Sequence, residues 1–145
     1  MLRSNFLKCA VSQLRALDRA QPQTNWQSPW AVARTEPKPG PTRIDPDEAI
    51  RLFKVFKKHQ KALLDTVACV KAPDAMQIEY SRLAADPEAT IRDVFSTIGM
   101  AQPERIRIPH KKATSDDLAD DIINYPEFAQ RVRDAGLDAF LEPEL

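Results

Sequence analysis

Glycine is scarce in this chain: Gly40, Gly99 and Gly136 are the only three among 145 residues. A loop that cradles a phosphate needs small residues, so that backbone N–H groups can approach the anion. No stretch of these residues can supply such a loop. Cysteine is nearly as rare. Cys9 and Cys69 lack metal-ligand spacing and do not make a disulfide framework. No apolar run reaches the roughly 18 residues of a membrane-spanning helix. The opening Met1-Leu2-Arg3-Ser4-Asn5-Phe6 is not followed by the unbroken apolar stretch of a secretory signal. An excess of one charge is missing too, since 21 basic residues balance 21 acidic ones. A general nucleic-acid binder usually shows a basic excess, so the balance argues against that class, while a local basic pocket is still allowed. The expectation is a cytoplasmic chain with no nucleic-acid partner and no metal.

What is present describes a mostly α domain with one or few short strands. Hydrophobic residues make up 43% and charged residues 29% of the chain, the balance of a globular body of about one domain. Leu7, Ala10, Val11, Leu14 and Leu17 recur at helical spacing and predict a helix over 3–19, capped by Ser4 or Asn5. Residues 20–44 carry five of the chain's prolines and Gly40, and read as a long loop. Trp26 and Trp30 within it either pack over the core or form a lid over an acceptor. Asp45-Pro46-Asp47-Glu48 is a helix start, with Asp45 as N-cap and Glu48 as its reciprocal partner. Leu52, Phe56, His59, Leu63 and Val67 mark the apolar face of that helix. Lys54, Lys57, Lys58 and Lys61 make the other face basic.

Pro73-Asp74 ends the long helix. Met76–Tyr80 alternates apolar and polar and reads as the one convincing strand. A lone strand is not stable, and the sequence offers it no clear partner. Asp86-Pro87-Glu88 opens another helix, with Ile91, Val94, Phe95 and Ile98 inward and Gly99 as its left-handed cap. Residues 101–114 form an irregular basic segment, followed by a short helix over Asp116–Ile122. Asn124 caps the last helix, with Glu127 three residues on and Gly136 at its end.

Periodicity and spacing give no catalytic triad, metal cluster or acid–base carboxylate pair. His59 lies on an apolar helix face and reads as a packed histidine. His110 lies beside two lysines, as either an anion ligand or a surface residue. Three motifs carry a resemblance. Arg3-Ser4-Asn5-Phe6-Leu7-Lys8-Cys9-Ala10-Val11-Ser12 is the first. Tyr80-Ser81-Arg82-Leu83-Ala84-Ala85-Asp86-Pro87 is the second. The third is Pro109-His110-Lys111-Lys112-Ala113-Thr114, followed by Ile123-Asn124-Tyr125-Pro126-Glu127-Phe128. In order and spread they resemble the C-terminal part of bacterial sulfotransferases of the nodulation and glycolipid type. These enzymes have an α/β fold of the P-loop kind and use 3′-phosphoadenosine-5′-phosphosulfate.

The resemblance implies roles for six residues. Arg3 and Ser12 would hold the donor's 3′-phosphate, since a dianion favours a guanidinium and a hydroxyl together. Tyr80 would lie by the adenine, offering an apolar face and a polar tip. Ser81 and Arg82 stand where the family carries an acidic pair. Lys111, Lys112 and Thr114 would close over the 3′-phosphate end. The acceptor would be a hydroxyl of a carbohydrate or glycolipid. The strand–loop–helix that binds the 5′-phosphosulfate would precede Arg3, and so would the catalytic base. The expectation is therefore a partial sulfotransferase domain over 1–145 that is inactive alone. Helices deprived of a backing sheet would expose apolar surface and favour self-association. The rival reading is a non-catalytic helical interaction domain.

Overall fold

A computed structural model describes residues 2, 4–19, 31–70 and 76–142. The elements in chain order are α1 (Phe6–Arg19), β1 (Ala31–Ala33), α2 (Pro46–Val70), α3 (Tyr80–Ala85), α4 (Pro87–Thr97), β2 (His110–Lys112) and α5 (Tyr125–Asp134). Single 3-10 turns cover Leu118–Asp120 and Asp138–Phe140. The fold is mostly helical, as its composition and periodicity predict. The chain divides into two compact units. One comprises Met1–Ser4 with Lys58–Arg107, and the other Asn5–Lys57 with Ile108–Leu145.

The second of these units holds the core. Asn5 Oδ1 accepts from the Lys8 amide at 3.0 Å and caps α1. Leu7, Ala10 and Val11 then turn inward against Ala49, Ile50 and Phe53 of α2 and Phe128, Ala129 and Val132 of α5. Phe53 stacks edge-on between Phe6 and Phe140, with ring centroids 5.9 and 4.8 Å away. Leu17, expected on the buried face of α1, is exposed. The helix has by then passed the end of the facing core.

Backbone pairing ties the loops to this core. β1 and β2 form an antiparallel ladder, with Ala31 opposite Lys112, Val32 opposite Lys111 and Ala33 opposite His110. Both strands lie in segments read from sequence as irregular. Three-residue strands are too short for alternation to register. Thr42 makes a parallel bridge to Ile122, its amide donating to Asp121 O at 3.0 Å. Asn124 holds the same crossing. Its Oδ1 accepts from Ile44 N and its Nδ2 donates to Ile44 O, both at 3.0 Å. Asn124 therefore does not cap α5 through its side chain, as sequence suggests; it acts as a substitute strand for Ile44. Gly136 closes α5 at φ +70°, with Leu137 N donating to Val132 O at 3.1 Å.

Asp45 caps α2 as expected, accepting from Asp47 N at 2.9 Å. Glu48 does not return to the cap. Its carboxylate turns outward to Arg51, which lowers the Glu48 pKa. The apolar face of α2 is covered only in its first turns. From Lys61 to Val70 every residue is exposed, and His59 is exposed rather than packed.

In the other unit, Met76–Glu79 is extended but is not a strand. It makes one parallel bridge, between Glu79 and Leu2, with Leu2 N donating to Ile78 O at 2.7 Å and Tyr80 N to Leu2 O at 2.9 Å. The missing partner is thus the start of the chain. Tyr80 turns at once into α3. Asp86 caps α4 through Ala89 N at 3.0 Å, and Gly99 ends it at φ +68°. Arg82 pairs with Asp93 between α3 and α4. Thr90 is the one buried residue among those described in this unit. The apolar positions Ile91, Val94 and Phe95 are half-buried, and Ile98 is exposed.

Candidate anion site

Helix α1 carries a polar stripe opposite its apolar one. Lys8, Ser12, Arg15 and Arg19 follow at intervals of four, three and four, so they share one face. That face meets the segments 37–40 and 112–121 of the same unit. Arg15 is almost fully buried at 1% exposure. Its guanidinium pairs with Asp121 and donates to Gly40 O at 2.8 Å and Pro39 O at 3.2 Å. The other Asp121 oxygen accepts from Ser115 N at 2.7 Å. A buried charge pair holds only when its hydrogen bonds are nearly complete, and here they are shared with backbone. Arg19 donates back to Arg15 O, and burial followed by the neighbouring Arg15 charge lowers its pKa. Arg15 and Asp121 fix the loop that carries Thr114, Ser115 and Asp116 against α1.

One helical turn before Ser12, Lys8 Nζ is shut off from solvent and has no hydrogen-bond partner. On β2, Lys112 Nζ donates to Asp116 Oδ1 at 2.8 Å. This hydrogen bond holds the Asp116 carboxyl below its ordinary value of 3.8, and the charges of Lys112, Lys8 and Lys38 lower it further, against partial burial. Three ammonium groups from α1, the 37–40 segment and β2 thus act on one carboxylate.

The six residues singled out from sequence are distributed as follows. Ser12 lies on the α1 stripe between Lys8 and Arg15, half-buried. Lys112 and Thr114 lie on β2 and the turn after it, in the same unit. Lys111 and Lys112 are neighbours on one strand and point to opposite faces, so Lys111 leaves this cluster and donates to Arg34 O at 3.2 Å. Tyr80 belongs to the other unit, half-buried at the start of α3, with its amide bonded to Leu2. Arg3 lies outside the described residues, as do Trp26 and Trp30. Lys8, Lys38 and Asp116 were missed as a group. Lys8 falls inside the first motif, and its spacing of four from Ser12 was the available signal. Nothing local links it to Asp116.

Among the described residues, no three His, Cys, Asp or Glu side chains gather as a metal site would require. None of the described helices is long and apolar enough to cross a membrane. Comparison with protein-family models, with curated proteins and with solved structures gave no match.

Proposed function

We propose that this chain is part of a sulfotransferase and supplies the 3′-phosphate and adenine side of the site for 3′-phosphoadenosine-5′-phosphosulfate. One observation carries the reading: the first motif, through its helix, acts on the same carboxylate as the third. Leu2, the residue before the first motif, is bonded through its backbone to Ile78 and to Tyr80, which opens the second motif. On the helix of the first motif, Lys8 acts on the carboxylate that Lys112 of the third motif holds. The first and third motifs lie far apart in sequence, and a solvated surface gives no reason for both to act on one carboxylate.

The residues present suit the nucleotide. A buried ammonium without a partner is the group that a phosphate dianion satisfies. Ser12 and Thr114 would donate hydroxyls to the 3′-phosphate, and Lys112 a charge. The family resemblance alone assigns a phosphate contact to Arg3 and an adenine contact to Tyr80. Once bound, the donor supplies an activated sulfuryl group for a hydroxyl acceptor of the carbohydrate or glycolipid class. Titration with adenosine 3′,5′-bisphosphate tests the reading. Binding should be at least tenfold tighter than that of adenosine, roughly the gain from one charge-assisted phosphate contact, and Lys112→Met should remove the difference. Equal affinity for the two compounds would refute it.

A second reading, a helical interaction module, is favoured by α2. Leu63, Leu64, Val67 and Val70 are 51, 39, 41 and 68% exposed along its second half. Such a stripe on a well-formed helix is a docking face in need of cover. Sedimentation velocity separates the readings. Self-association abolished by Leu63→Ser with Val67→Ser, together with no nucleotide binding, would favour the module.

A further inference from the structure

The later part of α2 concentrates positive charge in a chain that is neutral as a whole. Lys54, Lys57, Lys58 and Lys61 follow one another along this one helix, and all four are exposed. Asp65 is the only acidic residue from 54 to 70, and Lys61 takes it at 2.7 Å. Four lysines against one aspartate give the segment a net charge of +3, so the rest of the chain carries −3. The apolar side of the same stretch is equally distinct. At about 3.6 residues per turn, Leu63, Val67 and Val70 share one side, and Leu64 stands at its edge, beside Lys57 two turns earlier. The positions interleaved on that side are His59, Gln60 and Thr66, which carry no formal charge at pH 7. Lys57 and Lys58 occupy the two shoulders of the opposite side. From there a long lysine stem can lay its ammonium back toward any surface that the stripe meets.

Charge and area decide what covers the stripe. A second copy would set +3 against +3. From Lys61 to Val70, where every residue is exposed, the helix runs only about 15 Å. Two such stretches, each about 10 Å wide, bury far less than the roughly 800 Å² per partner of a standard protein interface. A lipid surface sets no such minimum, because attachment there scales with apolar area plus attraction to anionic headgroups. The helix is not apolar enough to cross a bilayer, so its place is in the plane of the surface. We infer that residues 57–70 of α2 anchor the chain on an anionic lipid surface, with Leu63, Leu64, Val67 and Val70 in the headgroup boundary and the lysines on its negative charge. The inference rests on the proposed function only for the purpose of the anchor: a glycolipid acceptor lies in such a surface.

The experiment is co-sedimentation of the full chain with vesicles of phosphatidylcholine alone and of phosphatidylcholine mixed equally with phosphatidylglycerol. The variants are Leu63→Ser with Val67→Ser, Lys57→Gln with Lys58→Gln, and, as a control of equal charge loss, the exposed pair Arg105→Gln with Arg107→Gln. Circular dichroism confirms the fold of each. The parent should bind the mixed vesicles at least tenfold more tightly than phosphatidylcholine, and added salt should erase the difference. The lysine pair should weaken binding by about tenfold or more, since each lysine near an anionic surface is worth about fivefold. The serine pair should weaken it comparably, and the arginine pair should match the parent. If the serine pair loses helix, the lysine pair alone carries the test. Equal binding to both vesicles, an arginine pair as weak as the lysine pair, or indifference to both α2 variants would overturn the inference. So would self-association without vesicle binding, which makes a second copy the cover. Neither vesicle contains nucleotide or acceptor, so the outcomes separate. Vesicle binding by a chain that ignores adenosine 3′,5′-bisphosphate keeps the anchor and removes the sulfotransferase reading, and the reverse removes the anchor alone.

Discussion

Replacing Arg15 by methionine is the most informative single perturbation of this fold. Methionine keeps the length and the apolar stem of the side chain but removes its charge and every hydrogen bond it donates. Asp121, with a side chain only 6% exposed, would then keep the Ser115 amide as a donor but no cation. The carbonyls of Pro39 and Gly40 would lose theirs. Breaking one side of a buried pair costs about 3–5 kcal/mol, because the remaining charge is left unpaired. At roughly 3 °C per kcal/mol for a domain of this size, the melting temperature should fall by about 10–15 °C. Urea melts followed by circular dichroism would measure the change. The double variant Arg15→Met with Asp121→Leu tests the cause. If the loss comes from an orphaned carboxylate, removing both charges should recover most of it, since apolar replacements of buried pairs are often neutral. A loss under about 1 kcal/mol for Arg15→Met, or a double variant as unstable as the single, would refute the argument.

Other outcomes follow from the same geometry. Asn124→Ala removes the two bonds to Ile44 and should cost about 2 kcal/mol in urea melts, one for each bond at the usual net value. Gly136→Ala meets open space but forces φ +70° on a residue with a Cβ, so it should cost about 1 kcal/mol. Gly40→Ala also meets open space without that constraint, and should be neutral or slightly stabilising in the same assay. The folded-state pKa of Asp116 is lowered, so its contribution is present above the ordinary carboxylate value of 3.8 and is lost as pH falls through the lowered one. Its side-chain carboxyl resonance should titrate below 3.8, and Lys112→Met should move the midpoint upward; an unmoved midpoint would deny the contact.

Sequence determined the helices, because a helix reports itself locally. Cap, proline and period lie within a few residues, and Asp45-Pro46 and Asp86-Pro87 start α2 and α4 where those signals stand. Left-handed glycines at 99 and 136 end their helices for the same reason. Periodicity could not tell which part of an apolar face is covered. Leu63 and Val67 continue the pattern of Leu52 and Phe56, yet only the earlier pair packs against the core. The short strands and bridges were decided by tertiary structure, since each depends on a partner distant in sequence: β1 on β2, Leu2 on Glu79, Thr42 on Ile122. The same holds for charge. Sequence shows 21 cations and 21 anions without pairing them. Folding buries Arg15 on Asp121 and leaves Lys8 buried with no hydrogen-bond partner, because electrostatic energy depends on distance and burial, neither of which a linear order contains.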